Sequence, residues 1–337
     1  MTASQEERFI AEHFEKLSAR LPGAFSLKDD CAELVPAPGQ AFIVKTDPIV
    51  EGLHFLADDD PADVAYKALA VNVSDLAAKA ARPFAYLLAI GLPGRPEKAW
   101  MERFTTGLAE AQEAFGLTLA GGDTDRITGP ASMAVTVFGE CPVGRMVPRG
   151  GARPGDRVYV SGRLGGAALG LALRLGQHRS EAWPVPEAAA AAALARYLRP
   201  EPRLGLGAAL RAYATAAMDI SDGLVKDLDR MCRQGATGAA GARLRFEELP
   251  LFAGLRDALD ADHTEVMQLI PAGDDYEILA TVPAAQAEAF VALAAKGGVE
   301  VAEIGEVVTD PGVRVLDGGG GDIDFAIRGF DHFERKS

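Results

Sequence analysis

Apolar residues Phe9, Ile10, Phe14 and Leu17 recur along one side of residues 6–20, the spacing of a short amphipathic helix. A polar loop follows and ends in Lys28-Asp29-Asp30-Cys31-Ala32. Residues 41–45 then form a short β-type run that stops at Thr46-Asp47-Pro48. Residues 61–80 predict a helix, with Pro61 in its first turn, Asp60 as its cap, and Ala and Leu frequent inside. Phe84 to Ile90 reads as a buried strand. Trp100, Phe104, Leu108, Ala111 and Phe115 then mark an amphipathic helix over 97–115. Strands are expected at 117–120 and 132–139, separated by Gly121-Gly122-Asp123-Thr124-Asp125-Arg126.

The pattern breaks at 142–156, where Pro142, Gly144, Pro148, Gly150, Gly151, Pro154 and Gly155 cluster. A domain boundary belongs there, giving domains 1–147 and 148–337. The second half restarts with a strand at 157–160, a small-residue helix over 165–175 and an Ala-rich helix over 186–198. A strand-like run ends at Asp219-Ile220-Ser221-Asp222-Gly223. A helix to about 233, strands at 243–246 and 276–282, a helix over 285–296 and strands near 301–308 complete the reading. Helices and strands mix in both halves, which is the signature of an α/β or α+β chain.

Composition narrows the function classes. The chain has 337 residues, 48 % of them apolar, enough for two folded domains. A formal net charge of −14 disfavours general nucleic-acid binding, which needs a basic surface, but leaves room for a phosphorylated substrate met through divalent ions. Cys31, Cys141 and Cys232 lie far apart, so neither a structural zinc site nor a disulfide framework is expected; Cys31 reads as a small packed residue. Glu6, Glu7, Glu12 and Glu15 deny the N-terminus the form of a signal peptide, and no apolar stretch reaches membrane-span length. A cytoplasmic protein is the expectation.

Candidate chemistry lies in the placement of the aspartates. Asp29 and Asp30 fall in a loop and Asp47 ends a strand. Asp75 shares a helix face with Asn72, Asp123 and Asp125 follow a Gly-Gly turn, and Asp219 and Asp222 bracket a strand-to-helix turn. Strand ends and the turns beside them are where α/β proteins assemble sites. Carboxylates gathered there repel one another unless cations sit among them. Magnesium suits such a set, because it takes hard oxygen ligands and bridges carboxylates to phosphates.

Each of these residues also has a plainer reading. A loop aspartate commonly forms a turn, Asp222 can cap a helix, and Gly121-Gly122 can serve a positive φ. Asp58-Asp59-Asp60 reads as a solvated loop. Gly162-Arg163-Leu164-Gly165-Gly166 follows a strand and opens a helix but lacks the ending of a P-loop, so close packing is preferred over phosphate binding.

The order and spacing of several segments closely resemble the thiamine-monophosphate kinases. They are Lys28-Asp29-Asp30-Cys31-Ala32, Thr46-Asp47-Pro48-Ile49-Val50-Glu51-Gly52-Leu53-His54-Phe55, the stretch 60–78, Gly121-Gly122-Asp123-Thr124, Asp219-Ile220-Ser221-Asp222-Gly223-Leu224, Gly273-Asp274-Asp275-Tyr276-Glu277 and Gly329-Phe330-Asp331-His332-Phe333. The resemblance implies the two-domain PurM-like fold shared with aminoimidazole ribonucleotide synthetase and selenophosphate synthetase. In that fold an N-terminal α/β domain pairs with its copy through an interface β-barrel, and ATP lies between it and a C-terminal α/β domain.

The same resemblance implies that Asp30, Thr46, Asp47, Asp75, Asp123, Asp219 and Asp222 hold several magnesium ions. It assigns Gly122, Arg145 and Ser221 to ATP, and His54, Asp274 and Phe330 to the substrate. No side chain is implied as acid or base, since the acceptor phosphate is already ionised. The chain departs from the family where Ser26-Leu27-Lys28 replaces a Gly-rich approach, placing Lys28 beside phosphates or aspartates. It departs again at Asp274, where the family commonly has Glu. A non-catalytic metal- or nucleotide-binding scaffold and another ATP-dependent enzyme of the superfamily stand as the alternatives.

Overall fold

The computed structural model of the chain describes residues 4–178, 181–235, 240–325 and 329–330. The chain divides into two compact units, one formed by Met1–Leu76 with Ala81–Arg145 and the other by Ala77–Ala80 with Met146–Ser337. The first carries helix α1 (Gln5–His13), strand β1 (Gln40–Val50), helix α2 (Pro61–Ala78), strand β2 (Arg82–Leu92), helix α3 (Lys98–Phe115) and strands β3 (Leu119–Arg126) and β4 (Ser132–Pro142). Its sheet runs β1-β4-β2-β3, antiparallel except for the parallel β2–β3 pair. Alternation along the strands sends Ile49, Leu88, Ile90, Met133, Val135 and Val137 to a buried face. Leu76 of α2 packs there against Gly139 of β4, and α3 crosses α2 with Gly107 against Ala62.

The opposite face of this sheet is apolar and, among the described residues, left partly exposed. Phe42 lies 5.3 Å from Phe84 and 6.0 Å from Phe138, ring centre to ring centre, and Val44 beside them is 55 % exposed.

Two expectations are corrected in this unit. Strand β1 does not stop at Thr46 but continues through Asp47 and Pro48 to Val50. Proline is tolerated there because β1 is an edge strand. Likewise Gly121 to Arg126 is not a turn but the body of β3. Gly122 is needed for close approach and not for a positive φ, since a Cβ on it would stand 1.9 Å from the Leu88 carbonyl oxygen.

The second unit carries strand β5 (Asp156–Ser161), helices α4 (Gly166–Arg174), α5 (Glu187–Leu198) and α6 (Gly207–Tyr213), strand β6 (Ala216–Asp219), helix α7 (Leu224–Arg233) and strand β7 (Gly241–Arg245). Helices α8 (Leu255–Ala258) and α9 (His263–Leu269), strand β8 (Ile278–Pro283), helix α10 (Ala287–Lys296) and strands β9 (Val301–Val308), β10 (Gly312–Leu316) and β11 (Asp322–Ile323) follow. The sheet order is β11-β10-β7-β9-β5-β8-β6. Both faces are covered. Val158 and Val160 of β5 join Leu169, Leu228 and Val266 from α4, α7 and α9, whereas Tyr159 between them joins Leu210 and Phe290 from α6 and α10. Strands buried on both sides read as apolar runs, which is how β5 and β8 appear in the sequence. Among the described residues no helix is long and apolar enough to cross a membrane.

Candidate functional site

In the first unit, alternation along β1 points Lys45 and Asp47 to the same face, toward Asp75 of α2. The Lys45 ammonium lies 2.9 Å from Asp47 Oδ2 and 2.9 Å from Asp75 Oδ2. Burial alone would lower the Lys45 pKa, but Asp75 and then Asp47 outweigh it and hold the ammonium above its ordinary value. The backbone of Asp47 is pinned as well. Its N–H donates to Asn72 Oδ1 at 2.8 Å, and Asn72 Nδ2 donates to its carbonyl at 3.3 Å. Asn72 is fully buried and also donates to Ala68 O, so α2 fixes the height at which Asp47 projects.

In the second unit, the turn after β6 is built around Asp227, a residue of α7 that is fully buried. Its Oδ2 accepts the backbone N–H groups of Ser221, Asp222 and Gly223 at 3.1, 3.0 and 3.1 Å. Arg230 spans Asp222 Oδ2 at 2.9 Å and Asp227 Oδ1 at 3.3 Å. Burial first, and then the charge of Asp222, push the Asp227 carboxyl up to about 6, against the pull of Arg230 and the turn N–H groups.

Two further segments close on this turn. Asp274 N–H donates to Ser221 O at 2.9 Å, Tyr276 N–H to Ile220 O at 2.9 Å, and Phe330 N–H to Asp222 O at 2.8 Å. Gly273 makes the approach possible: its φ is +86°, and a Cβ would meet Ser221 O at 2.3 Å. Ser221, Asp222, Asp274 and Phe330 are thereby brought to one place, next to the buried end of β6 at Asp219.

Asp275 and Glu277 of the same loop face inward. Both Asp275 oxygens accept Gly165 N–H, at 3.0 and 3.1 Å, where α4 begins. Burial pushes that carboxyl up to about 8 despite the donor. Glu277 takes a bidentate pair from Arg203 at 2.7 and 2.6 Å and the Ser161 hydroxyl at 2.6 Å. The glycine-rich turn before α4 is therefore filled by the chain's own carboxylate, in keeping with close packing.

The remaining candidates are spread out. Thr46 points to the face opposite Asp47, where Thr136 donates to its hydroxyl at 3.0 Å. Asp123 lies on β3, at the other edge of the sheet from β1, three strand spacings or about 14 Å away; its Oδ1 accepts Thr124 N–H. Asp30 and Arg145 are exposed, and Gly122 lies in the same cross-sheet row as Asp47. His54 Nδ1 accepts Val50 N–H at 3.0 Å, so its neutral ring carries the proton on Nε2.

Three expectations are revised. Lys28 pairs with Glu15 at 3.3 Å, not with the aspartates, and Cys31 is exposed rather than packed. Of the run Asp58-Asp59-Asp60, Asp59 is buried and accepts Leu56 N–H, while Asp60 caps α2 and pairs with Arg103.

Among the described residues no three His, Cys, Asp or Glu side chains converge to hold an ion unaided. The donor chemistry still fits magnesium. Asp47 and Asp75 already aim hard oxygens at a single cation, and magnesium needs only one or two carboxylates when waters and phosphates complete its shell. Sequence reasoning missed Lys45, Asp227 and Arg230. The alternation along β1 and the i, i+3 spacing of Asp227 and Arg230 were visible, but nothing local says that a helix carboxylate folds back over the turn before it.

Comparison with known proteins bears on both units. The profile of "AIR synthase related protein, N-terminal domain" matches residues 28–141, and that of "AIR synthase related protein, C-terminal domain" matches residues 153–318. A thiamine-monophosphate kinase of Caulobacter vibrioides is 41% identical over 90% of this chain and 84% of its own length. That of Salmonella typhimurium is 39% identical over 98% and 99%. A solved chain described as AaThiL complexed with AMPPCP and TMP is 30% identical, covers 99% of this chain and 100% of itself, and superposes with a TM-score of 0.75. With two matched domains in PurM-like order and full-length identity of this size, the chain belongs to the thiamine-monophosphate kinase family.

Proposed function

We propose that the chain transfers the γ-phosphoryl group of ATP to thiamine monophosphate, giving thiamine diphosphate in one magnesium-dependent, in-line step. The observation that carries the reading is the full-length likeness to a chain complexed with AMPPCP, an ATP analogue, and TMP. The acceptor is an ionised phosphate oxygen, so no general base is required, and the obstacle is repulsion between two anions. Asp30, Thr46, Asp47, Asp75, Asp123, Asp219 and Asp222 are the residues assigned to magnesium. When bound, magnesium offsets phosphate charge and stabilises the transferring group.

Ser221, the Gly122 backbone and Arg145 contact ATP. His54, with its proton on Nε2, offers a donor to a phosphate oxygen of the acceptor. Phe330 is 37 % exposed, which leaves a ring for the flat substrate to pack on, and Asp274 beside it suits a cationic thiazolium. The partly exposed face of Phe42, Val44, Phe84 and Phe138 supports a homodimer built through a shared barrel. The reaction takes place in the cytoplasm.

Product analysis with ATP, magnesium and thiamine monophosphate, and with thiamine as a parallel acceptor, tests the reading. Thiamine diphosphate is expected only from the monophosphate and only with magnesium, and is lost in Asp47→Asn and Asp123→Asn. Nucleotide and metal binding without transfer would favour the scaffold. Light scattering on Val44→Asp tests the dimer: a monomer is expected.

A further inference from the structure

The Asp47–Asp75 pair is not an open pair of carboxylates, because an ammonium stands between them. Lys45 and Asp47 come from one strand and Asp75 from a helix, so the three side chains converge from two separately anchored elements. Lys45 Nζ engages Oδ2 of both acids at 2.9 Å. Its side chain is 33 % exposed and that of Asp75 25 %, which keeps much of the water away from the cation. The position of the acids is itself constrained, since Asn72 holds the Asp47 backbone against α2. A lysine held in this way differs from a surface arm that finds a partner by chance, because its strand position dictates that it points where Asp47 points.

We propose that Lys45 is a built-in cation of this site: its ammonium permanently fills one cation position between Asp47 and Asp75, where a divalent ion would otherwise sit. The inference rests on the reading that these two aspartates serve magnesium. A fixed single charge stays in place when divalent ions are scarce, and it repels a second divalent ion from the same two oxygens. The chain therefore loads one fewer divalent ion at this pair than its carboxylates alone would take.

The test is to titrate full-length wild-type protein, Lys45→Met and Lys45→Arg with Mn²⁺, with and without AMPPCP, and to count bound ions by electron paramagnetic resonance. Lys45→Met is expected to take up an additional ion, or to bind the existing one roughly tenfold more tightly, the order expected on removing one charge from a half-exposed pair. Lys45→Arg keeps the wild-type count. An unchanged count and affinity in Lys45→Met overturns the proposal.

A second measurement needs no variant: the acetylation rate of Lys45 in wild-type protein, read by mass spectrometry against Lys28, whose side chain is 71 % exposed. Lys45 is expected to react slowly in both chelator and Mn²⁺. If Mn²⁺ makes it react fast, the ammonium is displaced and the permanent-cation proposal falls. Wild-type protein that binds no Mn²⁺ even with AMPPCP defeats the magnesium reading and the inference with it, a result distinct from the unchanged count, which defeats the inference alone.

Discussion

The acidic pair on β1 and α2 and the acidic turn after β6 solve one problem in two ways. At the pair, Asp47 and Asp75 share Lys45 and stay more exposed than the turn's anchor, with side-chain exposures of 44 and 25 %. At the turn, Asp227 is sealed from water and spends its charge on three backbone N–H groups, leaving Asp222 to face outward with Arg230. The difference separates two uses of a carboxylate. One kind is kept near water and turned toward a cation; the other is a structural acceptor that sets backbone shape. Removing the first should cost function, and removing the second should cost stability.

The largest effect expected from this contrast is on Asp75→Asn. Thiamine diphosphate formation should fall by about 10³-fold, the order seen when one electrostatic partner of a transition state is lost, with little change in the thermal midpoint. A variant that keeps its activity would erase the functional half of the contrast. Asp227→Ala should behave in the opposite sense. It orphans three turn N–H groups and should lower unfolding free energy by about 2–4 kcal/mol, measured by urea denaturation. If Asp227→Ala unfolds like wild type, the turn is held by something other than its central acceptor.

A third prediction sharpens the buried side of the comparison through pH. Burial penalises the charge of Asp275 and pushes its folded carboxyl up from the ordinary 3.8 to about 8. A raised folded pKa means that the native state holds the proton more tightly than the unfolded chain does. Its contribution to stability is therefore full at low pH and is lost as pH rises from about 4 through 8, with a slope of at most about 1.4 kcal/mol per pH unit. Asp275→Asn should flatten that decline, as read from urea midpoints across the range; an identical slope in the variant would remove Asp275 as its source.

The smallest effect lies in the loop before Asp29. Phe25, Ser26 and Leu27 all have positive φ, at 50, 55 and 58°, a conformation that suits the glycines the family places there. Ser26→Gly should stabilise the protein by no more than about 1 kcal/mol, detectable as a small rise in thermal midpoint, whereas a loss of stability would mean that the serine side chain makes up for its strain.

Much of this organisation was legible in the chain. The long periodic helices α2 and α3 and the apolar strands β5 and β8 all follow from local pattern. Helices α6, α8 and α9 escaped because four to seven residues do not display a 3.6-residue period. The Gly-Gly of β3 misled in an instructive way, since glycine marks a turn by default and close strand approach only in three dimensions. The strand-to-helix turn at Asp219-Ile220-Ser221-Asp222-Gly223 could be read from the sequence, whereas the placement of Lys45 could not. A lysine in a strand looks like a solvated edge residue until α2 brings Asp75 over it.

Asn72 has a consequence beyond the site. At Asp47 the outer edge of β1 offers one N–H and one C=O to any passing extended chain, and the Asn72 amide occupies both. It acts as a dummy rung, ending the ladder where another molecule could otherwise extend it. Asn72→Leu should therefore show its defect as concentration-dependent strand association during refolding, a failure of solubility that arises at the same rung that aims a carboxylate.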